Sequence, residues 1–190
     1  MPSREWKRNK KNQSWYPGET IITGIGQGYY QVTPLQLVRA TATLANKGNV
    51  VTPFLVDKII DTHGTRPGPE IHKKTIPLNP NNVNTVIEGM INVVHSARGT
   101  AKGISKDISY QIAGKTGTAQ VLGIKQNAKY NENSIDFKFR DHALFISFAP
   151  ADDPKIAVAV IVENGGHGGS VAAPIAGQVI KQFLQENHEN

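Results

Sequence analysis

Apolar residues recur along this chain in two periods, and the period changes from segment to segment. Leu35, Val38, Ala42 and Ala45 follow one another at helical spacing. Thr33 stands where an N-cap is needed, Pro34 suits the first helical position, and Gly48 is placed to end the helix. A second helix is predicted from about Asn81 to Ser96. Val83, Ile87, Met90 and Val94 form its apolar face, widened by Val86, Ile91 and Val93. Between these helices, Val50 to Ile60 reads as one or two short strands interrupted by Pro53. Residues 61–80 are rich in turn formers.

The second half reads mainly as strands. One is expected from Tyr110 to Val121. Ala143 to Ala149 and Ile156 to Val162 flank the turn Pro150-Ala151-Asp152-Asp153-Pro154, which predicts an antiparallel hairpin. The second of these strands is almost wholly apolar, so both its faces should be buried. The polar stretch 122–141 is too long for a routine connection and reads as functional or mobile. Gly165 to Gly169 is a glycine-rich bend around His167. Ser170 can cap a last helix, with Ala172, Ile175, Val179 and Phe183 expected on its inner face. Residues 1–23 read as an irregular, extended lead-in, with a turn at Trp15-Tyr16-Pro17-Gly18. The fold class is α+β: an antiparallel sheet with packed helices over residues 24–190.

Composition narrows the chemistry. The chain has 190 residues, no cysteine and a net charge of +6. There is therefore no disulfide framework, thiolate metal site or cysteine nucleophile. No apolar run is long enough to span a membrane, and the basic N-terminus lacks the apolar core of an export signal. Within residues 1–12, Arg4, Lys7, Arg8, Lys10 and Lys11 stand against Glu5 alone. Such an arm can touch nucleic acid or anionic lipid. A solvated lead-in explains it as simply, and no nucleic-acid partner is expected. The six histidines include no pair four apart and no H-E-x-x-H, so a catalytic zinc site is not indicated. Asp141-His142 reads as structural and Asp152-Asp153 as turn chemistry.

Two glycine-rich signals fail as nucleotide loops. Gly24-Ile25-Gly26-Gln27-Gly28 has Tyr29 where G-x-G-x-x-G needs its third glycine, and no strand-like run precedes it. Gly114-Lys115-Thr116 resembles the end of a P-loop, but Ser109 occupies the position of the first glycine and no helix-forming run follows. A different chemistry suits Lys115-Thr116-Gly117-Thr118. An edge strand offers its backbone to an extended substrate, and Gly117 permits close approach. Lys115 supplies a fixed positive charge. The Thr116 and Thr118 hydroxyls can donate to a carboxylate, and a backbone N–H at that end can donate to an oxyanion. K-T-G is the strand motif of penicillin-recognising serine acyltransferases.

The surrounding blocks point the same way. They are Pro2-Ser3-Arg4-Glu5-Trp6-Lys7, Trp15-Tyr16, Gly24 to Tyr29, Thr33-Pro34-Leu35-Gln36, Gly99-Thr100-Ala101, Lys115 to Val121, Arg140-Asp141-His142, Phe148-Ala149-Pro150 and Glu163 to Gly166. With these blocks in this order, nearly the whole chain resembles the penicillin-binding protein 2 family, the class B peptidoglycan D,D-transpeptidases of rod-shape elongation. The resemblance implies an incomplete penicillin-binding transpeptidase (β-lactamase-like) domain. It implies that Lys115 lines the active site. Thr116 and Thr118 would hold the carboxylate of a β-lactam or of a stem peptide, and the Thr118 N–H would form half of an oxyanion hole. It also implies that 122–141 borders the active-site mouth and that the glycine-rich bend holding His167 can approach the catalytic strand, with no direct catalytic role expected for His167. Peptidoglycan stem peptide, β-lactams and a shape-elongation glycosyltransferase are the implied partners. No cofactor is expected. The implied location is the periplasmic face of the bacterial inner membrane, although this chain carries no signal or anchor of its own.

One departure matters. The family's nucleophile lies in S-x-x-K and a second motif is S-x-N. None of Ser3, Ser14, Ser96, Ser105, Ser109, Ser134, Ser147 and Ser170 fits either pattern. In the family both motifs precede the block Pro2–Lys7, together with an anchor and a pedestal domain. The expectation is a C-terminal portion of a transpeptidase domain that is catalytically inactive alone, with apolar surface left uncovered. The competing reading is a non-catalytic remnant or interaction fragment.

Overall fold

The computed structural model describes residues 2–62, 64–68, 70, 73–121 and 135–186. The chain forms two compact units, Met1–Thr33 and Pro34–Asn190.

The first unit is helical, which corrects the expectation of an irregular lead-in over 1–23. Helix α1 spans Arg4–Lys11. The Ser3 side chain caps it by accepting the Trp6 N–H, and Asn12 closes it in the left-handed region. Helix α2 spans Pro17–Gly24. The tetrapeptide read as a turn is its start: Pro17 takes the first helical position, and the Glu19 carboxylate accepts the Tyr16 N–H at 2.8 Å. The basic arm is not simply solvated either. Lys7 is 1% exposed, and its ammonium lies 2.6 Å from Glu19 Oε1 and over the rings of Tyr16 and Tyr29. Local capping and one buried ion pair thus organise a segment whose apolar periodicity is too weak to announce two helices.

The second unit contains a three-stranded antiparallel sheet of order β3-β4-β5, from Ala113–Ala119, His142–Ala149 and Ile156–Val162. Helix α3 (Pro34–Ala45) packs on β4 and β5, helix α4 (Pro80–His95) on β3, and helix α5 (Ala172–Glu186) on β4 and β5. Two apolar clusters result, one on each face of the sheet. Phe148 and Ala113 meet Ala45, Val83, Ile87 and Met90 of α3 and α4. Phe145, Ala143 and Ala149 meet Ala172, Ala173, Ala176, Ile180 and Leu184 of α5. The alternation of β4 between the two clusters follows from the two-residue period of a strand. The α+β class and the 143–162 hairpin are as expected.

Several details differ from expectation. The segment Val50 to Asp57 is irregular, with Phe54, Leu55 and Val56 exposed. Strand structure begins only at β1 (Lys58–Asp61), which pairs with β2 (Gly64–Pro67) in a separate two-stranded ribbon. Pro53 and the lack of a covering layer account for this. Strand β5 is half-buried rather than buried. Helices cover both its faces, but it is the edge of the described sheet. In α4 the buried residues are Val83, Ile87, Met90 and Val94 as predicted, whereas Val86 is exposed. In α5 the expected inner face is turned outward: of Ala172, Ile175, Val179 and Phe183, only Ala172 is buried. At the end of α3 the left-handed position is taken by Lys47. Gly48 follows it, donating its N–H to the Thr43 carbonyl while Lys47 donates to Leu44, in a Schellman closure. Gly48 is still required, because a Cβ there would meet the Ile76 carbonyl oxygen at 2.4 Å. Of the stretch 122–141, residues 122–134 lie outside the described residues.

Candidate functional site

Strand β3 carries Lys115, Thr116, Gly117 and Thr118 paired with Ile146, Phe145, Leu144 and Ala143 of β4. The strand is shorter than the 110–121 expected. Its entry is held from outside the ladder: Ile112 donates its N–H to His95 Nε2 at 2.9 Å, and the Gln111 carbonyl accepts from Ala151. His95 serves as an acceptor in its neutral form, and burial lowers its pKa below the usual histidine value.

At Gly114 the strand runs against the Phe145 ring, where a Cβ would lie 2.5 Å from the nearest ring carbon. Beyond it, Lys115 is exposed and curls along the strand, its ammonium donating to the Thr116 carbonyl at 2.6 Å. That carbonyl therefore faces away from β4. The two-residue pleat turns the Thr118 backbone groups the same way, toward an edge that pairs with no strand among the described residues. Thr116 and Thr118 are half-buried. Lys115 makes no ion pair among the described residues, so its charge is available to an anion.

The glycine-rich bend does reach this strand, through its glycines. A Cβ on Gly168 would lie 2.1 Å from the Leu144 carbonyl oxygen and 2.6 Å from that of Gly117. On Gly169 it would lie 2.2 Å from the Thr100 carbonyl oxygen and 3.5 Å from Thr116 Cγ2. Only bare backbone fits between β3, β4 and the Thr100 turn. His167 itself is exposed. The bend is anchored by Gly166 N–H to the Asp141 carbonyl at 2.8 Å. It passes directly into α5, where Ala172 and Ala173 both donate to the Gly168 carbonyl.

Thr100 is a neighbour that the sequence did not single out as a site residue. Its Oγ1 lies 3.0 Å from Thr116 Oγ1. The two are sixteen residues apart and come together because the chain leaving α4 folds back tightly. Asp141 and His142 each accept a backbone N–H. Asp141 Oδ1 accepts the Val121 N–H at 3.3 Å, and His142 Nδ1 accepts the Asn164 N–H at 2.9 Å. Asn164, in the left-handed region, donates its side-chain amide to the Lys138 and Arg140 carbonyls. This network ties the far end of β3 to the strand that follows, which is a structural role.

An open groove of about 830 Å³ lies elsewhere, lined by residues including Tyr110, Pro150, Asp153 and Phe183. It lies beyond the start of β3, beside the β4–β5 turn, and contains none of the K-T-G residues. Among the described residues no group of three or more His, Cys, Asp or Glu could hold a metal ion.

The family model for the penicillin binding protein transpeptidase domain matches residues 4–181. The chain belongs to the penicillin-binding protein transpeptidase family. It is 41% identical to the peptidoglycan D,D-transpeptidase MrdA of Haemophilus influenzae, over 98% of this chain and 29% of the relative. It is 45% identical to MrdA of Acinetobacter baumannii, over 100% of this chain and 28% of the relative. Among solved structures it is similar to Pseudomonas aeruginosa PBP2 in complex with WCK 5153, with a TM-score of 0.77 and 48% identity over 97% of this chain and 38% of that one. It is also similar to Helicobacter pylori PBP2 in complex with MreC, with a TM-score of 0.75 and 28% identity over 97% of this chain and 31% of that one. The chain thus spans under a third of the length of these curated relatives.

Proposed function

We propose that this chain is the C-terminal portion of a peptidoglycan D,D-transpeptidase domain of the penicillin-binding protein 2 kind, contributing one wall of an acyl-transfer site. The observation that carries the reading is the β3 edge. An ammonium that makes no ion pair among the described residues, two hydroxyls and outward-facing backbone lie on one strand beside glycines that keep the approach clear. In this reading Lys115 holds and balances negative charge beside the nucleophile. Thr116 and Thr118 donate to the carboxylate of a stem peptide or a β-lactam. The Thr118 N–H donates to the oxyanion of the tetrahedral intermediate, a contribution worth roughly 100- to 1000-fold in rate at comparable sites.

The nucleophile and its base belong to S-x-x-K, which this sequence does not contain, so the isolated chain forms no acyl-enzyme. The PBP2–MreC complex and a similar chain from a peptidoglycan synthase complex, with a TM-score of 0.71 and 32% identity, support partners of that type for the whole protein. The same reading puts the whole protein's work at the periplasmic face of the inner membrane. No described helix is long and apolar enough to cross a membrane.

The test is labelling with a fluorescent penicillin. The 190-residue chain alone should take up no label. The chain joined in frame to a transpeptidase segment carrying S-x-x-K and S-x-N should take up one equivalent. In that longer protein Lys115→Ala should slow labelling by about 100-fold or more. Stoichiometric labelling of the isolated chain, or Lys115→Ala labelling at the parent rate, overturns the reading.

A further inference from the structure

We infer that Thr100 is a positioning residue for carboxylate recognition, holding the Thr116 hydroxyl so that its proton is presented to the ligand. This rests on the reading of β3 as a transpeptidase strand and adds a residue to it.

The geometry begins with the 3.0 Å contact between Thr100 Oγ1 and Thr116 Oγ1. Either oxygen can be the donor when no ligand is bound. An ionised carboxylate is acceptor-only, so it takes the Thr116 proton. The Thr116 oxygen is then left as an acceptor, and Thr100 must donate to it. Bound in this way, the two hydroxyls run in one direction, from Thr100 to Thr116 to the carboxylate. Each bond polarises the next. Without Thr100, the Thr116 side chain is free to turn its proton toward the strand or toward solvent.

Thr100 is built to stay in place. Gly99 lies so close to α4 that a Cβ would sit 2.3 Å from the Val93 carbonyl oxygen. Ala101, on the other side, is 2% exposed and donates its N–H to that same carbonyl at 3.0 Å. Gly169 of the bend sits against the Thr100 carbonyl, where a Cβ would lie 2.2 Å from its oxygen and 3.5 Å from the Thr116 methyl. Three separate segments, the exit of α4, β3 and the bend before α5, thus converge on one pair of hydroxyls. Thr100 is exposed, so water could satisfy its hydroxyl, and stability alone would not call for this support.

The experiment uses the longer protein that carries the nucleophile, and compares acylation by a penicillin with acylation by the methyl ester of the same penicillin. The parent should favour the free acid. Thr100→Val should lower the acid-to-ester rate ratio by about tenfold, the scale of one hydrogen bond to a charged group. Thr100→Ser, which keeps the hydroxyl, should restore most of it. A variant that is merely misfolded slows both substrates together and leaves the ratio unchanged. That result, or a parent-like ratio in Thr100→Val, overturns the role of Thr100 while leaving the transpeptidase reading intact. Failure of the parent itself to acylate with either substrate overturns both.

Discussion

Gly114→Ala adds one methyl group where the structure has least room for it. The new Cβ would lie 2.5 Å from one carbon of the Phe145 ring and 3.1 and 3.2 Å from two others, against an ordinary contact of 3.4–4 Å. Phe145 is fully buried between β4 and α5, so the ring cannot swing away. Relief requires β3 to move by roughly 1 Å, carrying Lys115 and Thr116 with it. Overpacking of this kind costs about 2–3 kcal/mol. Loss of glycine's freedom in the unfolded chain returns about 0.4–1 kcal/mol. The net expectation is a loss of about 2 kcal/mol, close to 30-fold in the folding equilibrium. Equilibrium urea unfolding of Gly114→Ala, Phe145→Leu and the double variant measures it. Phe145→Leu alone should cost about 1–2 kcal/mol. The double variant should be more stable than the sum of the two by about 1 kcal/mol or more, because the smaller side chain removes the clash. Additive losses, or a Gly114→Ala variant as stable as the parent, would refute the packing argument. The same displacement should slow penicillin labelling in the longer protein even where the variant is fully folded.

Gly168→Ala should be worse tolerated, at about 3 kcal/mol, because its methyl meets the backbone oxygens of Leu144 and Gly117 and no side chain can yield; thermal unfolding reads the loss directly. Acid should loosen the first unit. The Lys7 ammonium, followed by the Tyr16 N–H, holds the Glu19 carboxyl below the usual range, so its contribution is present above about pH 4.5 and is lost as pH falls through its folded pKa. Both tryptophans, Trp6 and Trp15, lie in that unit, so fluorescence followed from pH 6 to 2 should show a transition that Lys7→Met shifts toward higher pH. His95 works on the second unit. Its folded pKa lies below 6.5, so its bond to Ile112 is intact above that pH and is lost as pH falls through the folded value. The urea midpoint should drop between pH 7.5 and pH 5, and Glu or Asp protonation being common to both, His95→Gln should drop less. Ser147 places a fully buried hydroxyl on β4 with no partner among the described residues, so Ser147→Ala should raise stability by about 1 kcal/mol in the same assay.

How far the sequence reaches depends on the range of the interaction that decides each feature. The hairpin 143–162 and the inner face of α4 are legible because strand alternation and helical period are local, and one burial partner satisfies both. The K-T-G segment is legible as a strand, and the structure places it on β3. The two helices of the first unit are not, since they rest on Ser3, Asn12 and the Lys7–Glu19 pair rather than on an apolar stripe. Thr100 was visible only as part of a block, because nothing at position 100 announces a partner at 116. The Gly165–Gly169 bend announces a close approach without saying to what. The structure supplies the answer in Gly117, Leu144 and Thr100.

Helix α5 shows why periodicity alone can choose the wrong face. Its sequence holds two apolar stripes of the same period: Ala172, Ala176, Ile180 and Leu184, and Ile175, Val179 and Phe183. By bulk, the second is the better core. The choice is made one step earlier in the chain. Gly168 seats on Gly117 and Leu144, and its carbonyl takes the N–H groups of Ala172 and Ala173, which fixes the rotation of the first helical turn. With the start of the helix held that close to the sheet, only alanine fits beneath it, and Ala172, Ala173 and Ala176 are fully buried. The larger Ile180 and Leu184 follow on the same stripe, farther from the seated bend. The bulky stripe is turned outward, leaving Ile175, Val179 and Phe183 at 43%, 45% and 37% exposure. The contact that keeps the K-T-G strand clear of side chains is thus also the contact that orients the last helix. A substitution at Gly168 should accordingly disturb both the site and the helix, rather than either one alone.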